Sequence, residues 1–220
     1  MHSSIPFIRS LLLPTTLFLL VSIPKAGYCQ TTTVQWKEET SKDGKVRVMS
    51  RLTKEKSEDG DLVQVVEYKA HTKSKVSLDR CIEVLLDVNK HQYFLANTTI
   101  SKKLKTISDN EYVVYYFIDT QWPIPDSDCV TRYVTEYNPN SGKFILTGHA
   151  VPDHYEKQDV RRMTLSDVRY IIHQEENGYV YLEVSGKFSP VVTAPEWALR
   201  NWSPEGPARI LNGIIRLAGK

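Results

Sequence analysis

No stretch of this chain carries the marks of hydrolytic or nucleotide chemistry. G-x-S-x-G is absent, so no serine sits on the strained turn that a nucleophilic hydrolase needs. Glycine-rich phosphate loops, C-x-x-C and H-E-x-x-H are absent too, which removes nucleotide, structural-zinc and zincin readings. The longest apolar run, "LLLPTTLFLLVSIP" from Leu11 to Pro24, falls short of the roughly 20 residues of a membrane span, and Pro14 and Pro24 interrupt or bound it. It follows the clear positive charge of Arg9 and precedes small residues in "KAGYCQ", so residues 1–29 read as a cleaved targeting signal. The alternatives are an uncleaved anchor and lipidation at Cys29, and Tyr28 disfavours the second because the processing peptidase wants a small residue there.

The expectation is therefore an exported protein, periplasmic or secreted, beginning near Gln30. Losing the leader removes Arg9 and Lys25, so Lys+Arg falls from 28 to 26 against 26 Asp+Glu. A formally neutral chain lacks the basic excess that nucleic-acid binding requires, so no nucleic acid is expected as a partner. What remains, residues 30–220, suits one domain with a sizeable core. Cysteine is scarce, with 3 in all. Cys81 falls in an expected helix and Cys129 on an expected strand; export would allow a bridge between them, and buried free thiols are the alternative.

Paired strands begin at Trp36. "KVRVMSRL" alternates Val46, Val48, Ser50 and Leu52 on one face with Lys45, Arg47, Met49 and Arg51 on the other. "KDGK" before it and "SEDGD" before "LVQVVEYKAHT" are hairpin turns, giving three antiparallel strands. The period then becomes helical over "SLDRCIEVLLDVNKHQYF", with Ser77 as N-cap and a stripe of Leu78, Ile82, Leu85 and Leu86. Six further strands follow in "TTISKKLKTI", "EYVVYYFIDT", "DCVTRYVTEYN", "KFILTGHAV", "LSDVRYIIHQ" and "YVYLEVSGKF". The chain ends in helix, first "APEWALRNW" and then, from Ser203, a helix burying Ile210, Leu211, Ile214 and Leu217 with Arg209 and Arg216 outside. The expected class is α+β: a curved antiparallel sheet of about nine strands around a long C-terminal helix, with a second helical segment after the third strand. Such a sheet with one major helix to cover it is either plugged by that helix or encloses a cavity.

Few residues suggest chemistry. His149, Asp153, His154 and Glu156 lie close in "GHAVPDHYEKQD", but their spacing fits no closed metal site and reads as a solvated connection. Asn97-Thr-Thr and Asn201-Trp-Ser match the glycosylation pattern. Tyr112, Tyr115, Tyr116 and Phe117 crowd one strand, with Tyr133 and Tyr137 on the next but for a corner. Inward tyrosines suit a pocket that holds a greasy ligand and orients its polar end; filling the core is the alternative. Arg132 shares a strand face with Val130, Val134 and Glu136, and is either a buried cation awaiting a carboxylate or ligand headgroup, or a surface residue.

The corner itself, "QWPIPDSDCVTRYV" at 121–134, resembles the tryptophan-proline segment and following strand of START domains, the StAR-related lipid-transfer modules of the helix-grip (SRPBCC) superfamily. "VQWKEETSKDGKVRVMSR" is similar to their opening strands, "SLDRCIEVLLDVNKHQYF" to their helix before the sheet, "GHAVPDHYEKQDVRRM" to a loop with a proline and a later Val-Arg pair, and "APEWALRN" to the start of their C-terminal helix. The segments keep the family's order, as in a secreted bacterial-type member. There are two departures: Ser127 stands where an arginine often precedes the aspartate matched by Asp128, and the extra N-terminal helix of longer members is missing.

The resemblance implies a tunnel for one hydrophobic molecule or lipid, with "WPIP" and the loop Val151 to Arg161 near its mouth. The implied protein is a monomer that needs no cofactor or metal, has no catalytic residue, and makes transient contact with a membrane surface. Tyr116, Trp122, Arg132, Tyr133, Arg161, Trp197 and Asn201 are the residues expected to line or close the site. A cavity enzyme of the cyclase type, with Asp128, Arg132, His149 and Asp167 as its titratable groups, and a ligand-free interaction module are the two other functions weighed.

Overall fold

The computed structural model describes residues 34–57, 60–120 and 122–220. The expected leader, 1–29, lies outside them. One sheet runs through nearly all of the described chain: β1 (Lys37–Thr40), β2 (Arg47–Lys56), β3 (Leu62–Ser74), β4 (Thr98–Ser108), β5 (Glu111–Ile118), β6 (Ser127–Asn138), β7 (Lys143–Ala150), β8 (Arg161–Arg162), β9 (Ser166–Gln174) and β10 (Val180–Phe188). Neighbours pair in the order β1-β2-β3-β10-β9-β7-β6-β5-β4, all antiparallel. The two-residue β8 adds to β6 in parallel. The nine strands of that path are the nine expected from sequence alternation.

The helices are α1 (Leu78–Leu86), α2 (Glu196–Arg200) and α3 (Glu205–Ala218). The Ser77 side chain caps α1 by accepting from the Arg80 N–H at 3.3 Å, as its position before Asp79 foretold. The helix stops at Asp87, not at Phe94. Asp87 is extended, and its carboxylate accepts from the Asn89 N–H at 3.1 Å, starting a separate 3-10 turn over Val88–Tyr93. The buried stripe also differs from the expected one. Cys81, Val84 and Leu85 face inward, Leu78 and Ile82 are half-buried, and Leu86 is exposed. Spacing of 3 and 4 from Cys81 continues to buried Val88 in the following turn.

The sheet curls around α3, which buries Ile210, Leu211 and Ile214 as expected, while Leu217 is half-buried and Ala208, Gly213 and Ala218 complete the inner face. Close packing sets this contact. A Cβ at Gly213 would lie 2.5 Å from Phe94 Cβ, so only glycine lets α3 approach the chain there.

A second, smaller cluster covers the outside of β5 and β6. Val113, Tyr115 and Val130 are buried there under Val151 and Tyr155, with the Tyr115 and Tyr155 rings 5.0 Å apart. The connection that carries them is tied down by Arg162. Its guanidinium forms a forked pair with Asp128 (Nε to Oδ1 3.0 Å, Nη2 to Oδ2 2.7 Å) and donates to the carbonyls of Pro152, Tyr155 and Glu156. The Asp128 side chain is 0% exposed and that of Arg162 10%, so the carboxylate depends on this guanidinium for its charge partner. The loop expected at the cavity mouth thus lies on the outer face of the sheet, because Val151 and Tyr155 cover apolar side chains there. Arg162 is the partner of Asp128 in a chain that has Ser127 as the preceding residue.

Candidate functional site

A cavity of about 530 Å³ lies between the inner face of the sheet and the helices α2 and α3, within the range of roughly 300–1,000 Å³ typical of small-molecule sites. Strand parity decides which side chains reach it. On β5, Tyr112, Val114 and Tyr116 point inward and Tyr115 and Phe117 outward. On β6, Cys129, Thr131 and Tyr133 line the cavity. β3 supplies Tyr68, β9 Val168 and Tyr170, and β10 Phe188.

Two glycines keep the walls thin where tyrosines lie against the sheet. Tyr133 is the cross-strand neighbour of Gly148 and Tyr68 that of Gly186. A Cβ at either glycine would come within 2.6 Å of the facing ring. Each ring therefore covers its glycine along the sheet. Trp202, between α2 and α3, also lines the cavity, meeting Tyr68 edge-on at 4.9 Å and Phe188 at 5.4 Å.

One polar chain crosses this apolar wall. His91 is buried, with Nε2 2.8 Å from the Leu85 carbonyl and Nδ1 2.6 Å from the Tyr116 hydroxyl. The Tyr116 hydroxyl lies 3.1 Å from that of Tyr133. Burial pushes the His91 imidazole down to about 4, against smaller opposing effects of the Leu85 carbonyl and Asp87, so the ring is neutral near pH 7. Burial likewise holds the phenols of Tyr68, Tyr116, Tyr133 and Tyr170 above their usual value, so all four are protonated. Among the described residues lining the cavity there is no lysine or arginine, and Asp167 is the sole charged one. Its carboxylate bonds His149 Nδ1 at 2.8 Å.

The mouth is built from "WPIP" on one side and α2 on the other. Trp122, Pro123, Ile124, Trp197 and Asn201 all contribute to the lining. Trp122 is 89% exposed and Trp197 56%, so two indoles stand in water beside the opening.

Of the seven residues expected at the site, Tyr116, Trp122, Tyr133, Trp197 and Asn201 line the cavity, and two arginines do not. Arg132 is on the outer face of β6, exposed and paired with Glu111. Its parity with Val130 placed it there, and Val130 is buried by the loop outside the sheet, not by the cavity. Arg161 is exposed and touches only the rim, donating to the Val191 carbonyl at 3.4 Å. Sequence reasoning missed Tyr68, Tyr170 and Trp202. The alternation of Val168, Tyr170 and Ile172 could have revealed the second. It also missed His91, hidden by the reading of one unbroken helix.

No family model matches the chain, and no curated protein matches it. Solved structures do. The STAR-related lipid transfer protein fragment of Xanthomonas axonopodis superposes with TM-score 0.68 at 20% identity, covering 84% of this chain and 99% of that one. The lipid transfer and protein localization domain of human StarD13 gives 0.65 at 18% identity, covering 84% and 89%. Human StAR-related lipid transfer protein 5 gives 0.66 at 14% identity, covering 86% and 88%. The chain therefore has the helix-grip fold of START-related lipid-transfer domains.

Proposed function

We propose that the protein binds one lipid or similarly apolar molecule in the cavity, without covalent chemistry, and carries it between sites. The observation that supports this most is the composition of the wall: aromatic and aliphatic side chains around about 530 Å³, with polar groups that are almost all uncharged hydroxyls and amides, Asp167 being the one charged residue and no cation occurring among the described lining residues. The fold shared with proteins named for lipid transfer points the same way. Burying several hundred Å² of apolar ligand surface at roughly 25 cal/mol per Å² favours uptake by several kcal/mol after ordering costs.

In this reading α2, only five residues long and joined to α3 through Asn201–Pro204, moves with the "WPIP" corner to admit the ligand. Trp122 and Trp197 seat transiently in a membrane surface, where indoles partition well. The protein works as an exported monomer with no cofactor and no nucleic-acid partner. The test is native mass spectrometry of the purified protein before and after incubation with a mixed lipid extract. A discrete added mass, lost on denaturation, is the expected result, and no adduct from any extract overturns the reading.

A further inference from the structure

The polar chain through the cavity wall has a fixed direction. The Leu85 carbonyl can only accept, so the His91 Nε2 that meets it at 2.8 Å carries the ring hydrogen. Nδ1 of the neutral ring is then a bare acceptor, and the Tyr116 hydroxyl, 2.6 Å away, donates to it. A phenol has one proton. Tyr116 therefore faces Tyr133 as an acceptor, and the hydrogen across their 3.1 Å separation belongs to Tyr133. That leaves the Tyr133 oxygen with lone pairs and no proton to offer. Tyr133 has no further hydrogen-bond partner among the described residues, and it lines the cavity.

We propose that Tyr133 is a specificity-determining acceptor, and that the molecule held is an uncharged apolar compound presenting a hydroxyl to the Tyr133 oxygen. This rests on the lipid-binding reading and narrows it. An alcohol donates to Tyr133 and leaves the chain back to Leu85 intact. An ether or ester must take the Tyr133 proton instead, and the two phenol oxygens then face each other with no hydrogen between them. An acid is disfavoured for a different reason, since its carboxylate meets no lysine or arginine among the described lining residues. Tyr68 and Tyr170 also line the cavity, but nothing fixes the direction of their hydroxyls, so they add polarity without choosing between donor and acceptor.

The loss of one buried hydrogen bond corresponds to about a tenfold difference in affinity. The experiment measures binding of matched probes to the whole protein: octadecan-1-ol and its methyl ether, cholesterol and its methyl ether, and octadecanoate. The expected result is that at least one alcohol binds about tenfold more tightly than its own ether. The preference should vanish in Tyr133→Phe and persist in Tyr170→Phe. Equal affinity of alcohol and ether in the unmodified protein overturns the proposal, and that arm stands even if Tyr133→Phe fails to fold. So does a preference that survives Tyr133→Phe, or tighter binding of octadecanoate than of octadecan-1-ol. If lipids from the extract bind but neither alcohol does, the proposal falls and lipid binding stands; if nothing binds, both fall.

Discussion

His91 should make stability depend on pH in a way that one substitution removes. The ring is 2% exposed, and burial lowers its pKa from 6.5 to about 4. At about 1.4 kcal/mol per pH unit, this is a preference of roughly 3 kcal/mol for the neutral ring in the folded state. The sign follows from proton counting. Between pH 4 and 6.5 the unfolded chain takes up a proton on His91 that the folded chain does not. The contribution is therefore fully present above the unfolded value and is lost as pH falls toward the folded one. Going from about pH 7.5 to about pH 4.5 should remove roughly 2.5 kcal/mol through this group alone.

Urea unfolding at a series of pH values, in the unmodified protein and in His91→Gln, isolates it. The variant is less stable at neutral pH, because Leu85 and Tyr116 lose their partner, but its curve should be flatter across that interval by about 2 kcal/mol. Parallel curves, within about 0.5 kcal/mol of each other, would refute the buried neutral ring and with it the direction of the hydrogen-bond chain.

Three further outcomes follow from the packing. Asp128→Ala removes the carboxylate partner of the largely buried Arg162 guanidinium, and should cost about 3 kcal/mol by urea unfolding; a loss under about 1 kcal/mol would show that the pair is dispensable. The same variant should open the 151–160 connection to proteases before the rest of the fold, since Arg162 holds three of its carbonyls. Gly186→Ala places a Cβ against Tyr68, which Phe188 and Trp202 prevent from stepping aside. It should lower stability by about 1–3 kcal/mol and reduce lipid uptake, and unchanged uptake would mean that Tyr68 does not shape the cavity. Cys81 and Cys129 are free and buried, and burial pushes the Cys81 thiol up to about 11 and raises that of Cys129. Both should resist a thiol reagent until the protein unfolds, and Tm should not change with reductant; a reductant-sensitive Tm would contradict this.

The sheet was legible because most strands are covered on one face and wet on the other, as at the start of β2, where Val48 and the preceding Val46 are buried and Arg47 is exposed. β6 breaks that rule. Cys129 and Tyr133 are buried by the cavity side, while Asp128 and Val130 are buried by the loop outside. Alternation cannot say which buried face is the inner one, so Arg132 could not be assigned. The 151–161 loop was misplaced because its anchor, the pairing of Asp128 with Arg162 over 34 residues, leaves no local pattern. Helix periodicity ran past Asp87 because the 3-10 turn after it continues the same apolar spacing, and this hid His91. The tyrosines of β5 and β6 stood out by their crowding, which did not separate the inward Tyr112, Tyr116 and Tyr133 from the outward Tyr115. Tyr68 and Tyr170 stand singly in their strands, without that crowding, and for Tyr170 only the alternation with Val168 and Ile172 marked an inner face.

Ligand uptake inside the sheet can be separated from adsorption on its surface by contact quenching. The chain has 4 tryptophans; Trp202 lines the cavity, and Trp36 lies outside it under the Arg51 guanidinium. Variants keeping one of these two, with the other tryptophans changed to phenylalanine, would be mixed with an octadecanol and a phosphatidylcholine brominated along the chain. Quenching of Trp202 with Trp36 left bright is the result expected of a molecule held in the cavity. An unquenched Trp202, or equal quenching of both, would contradict it.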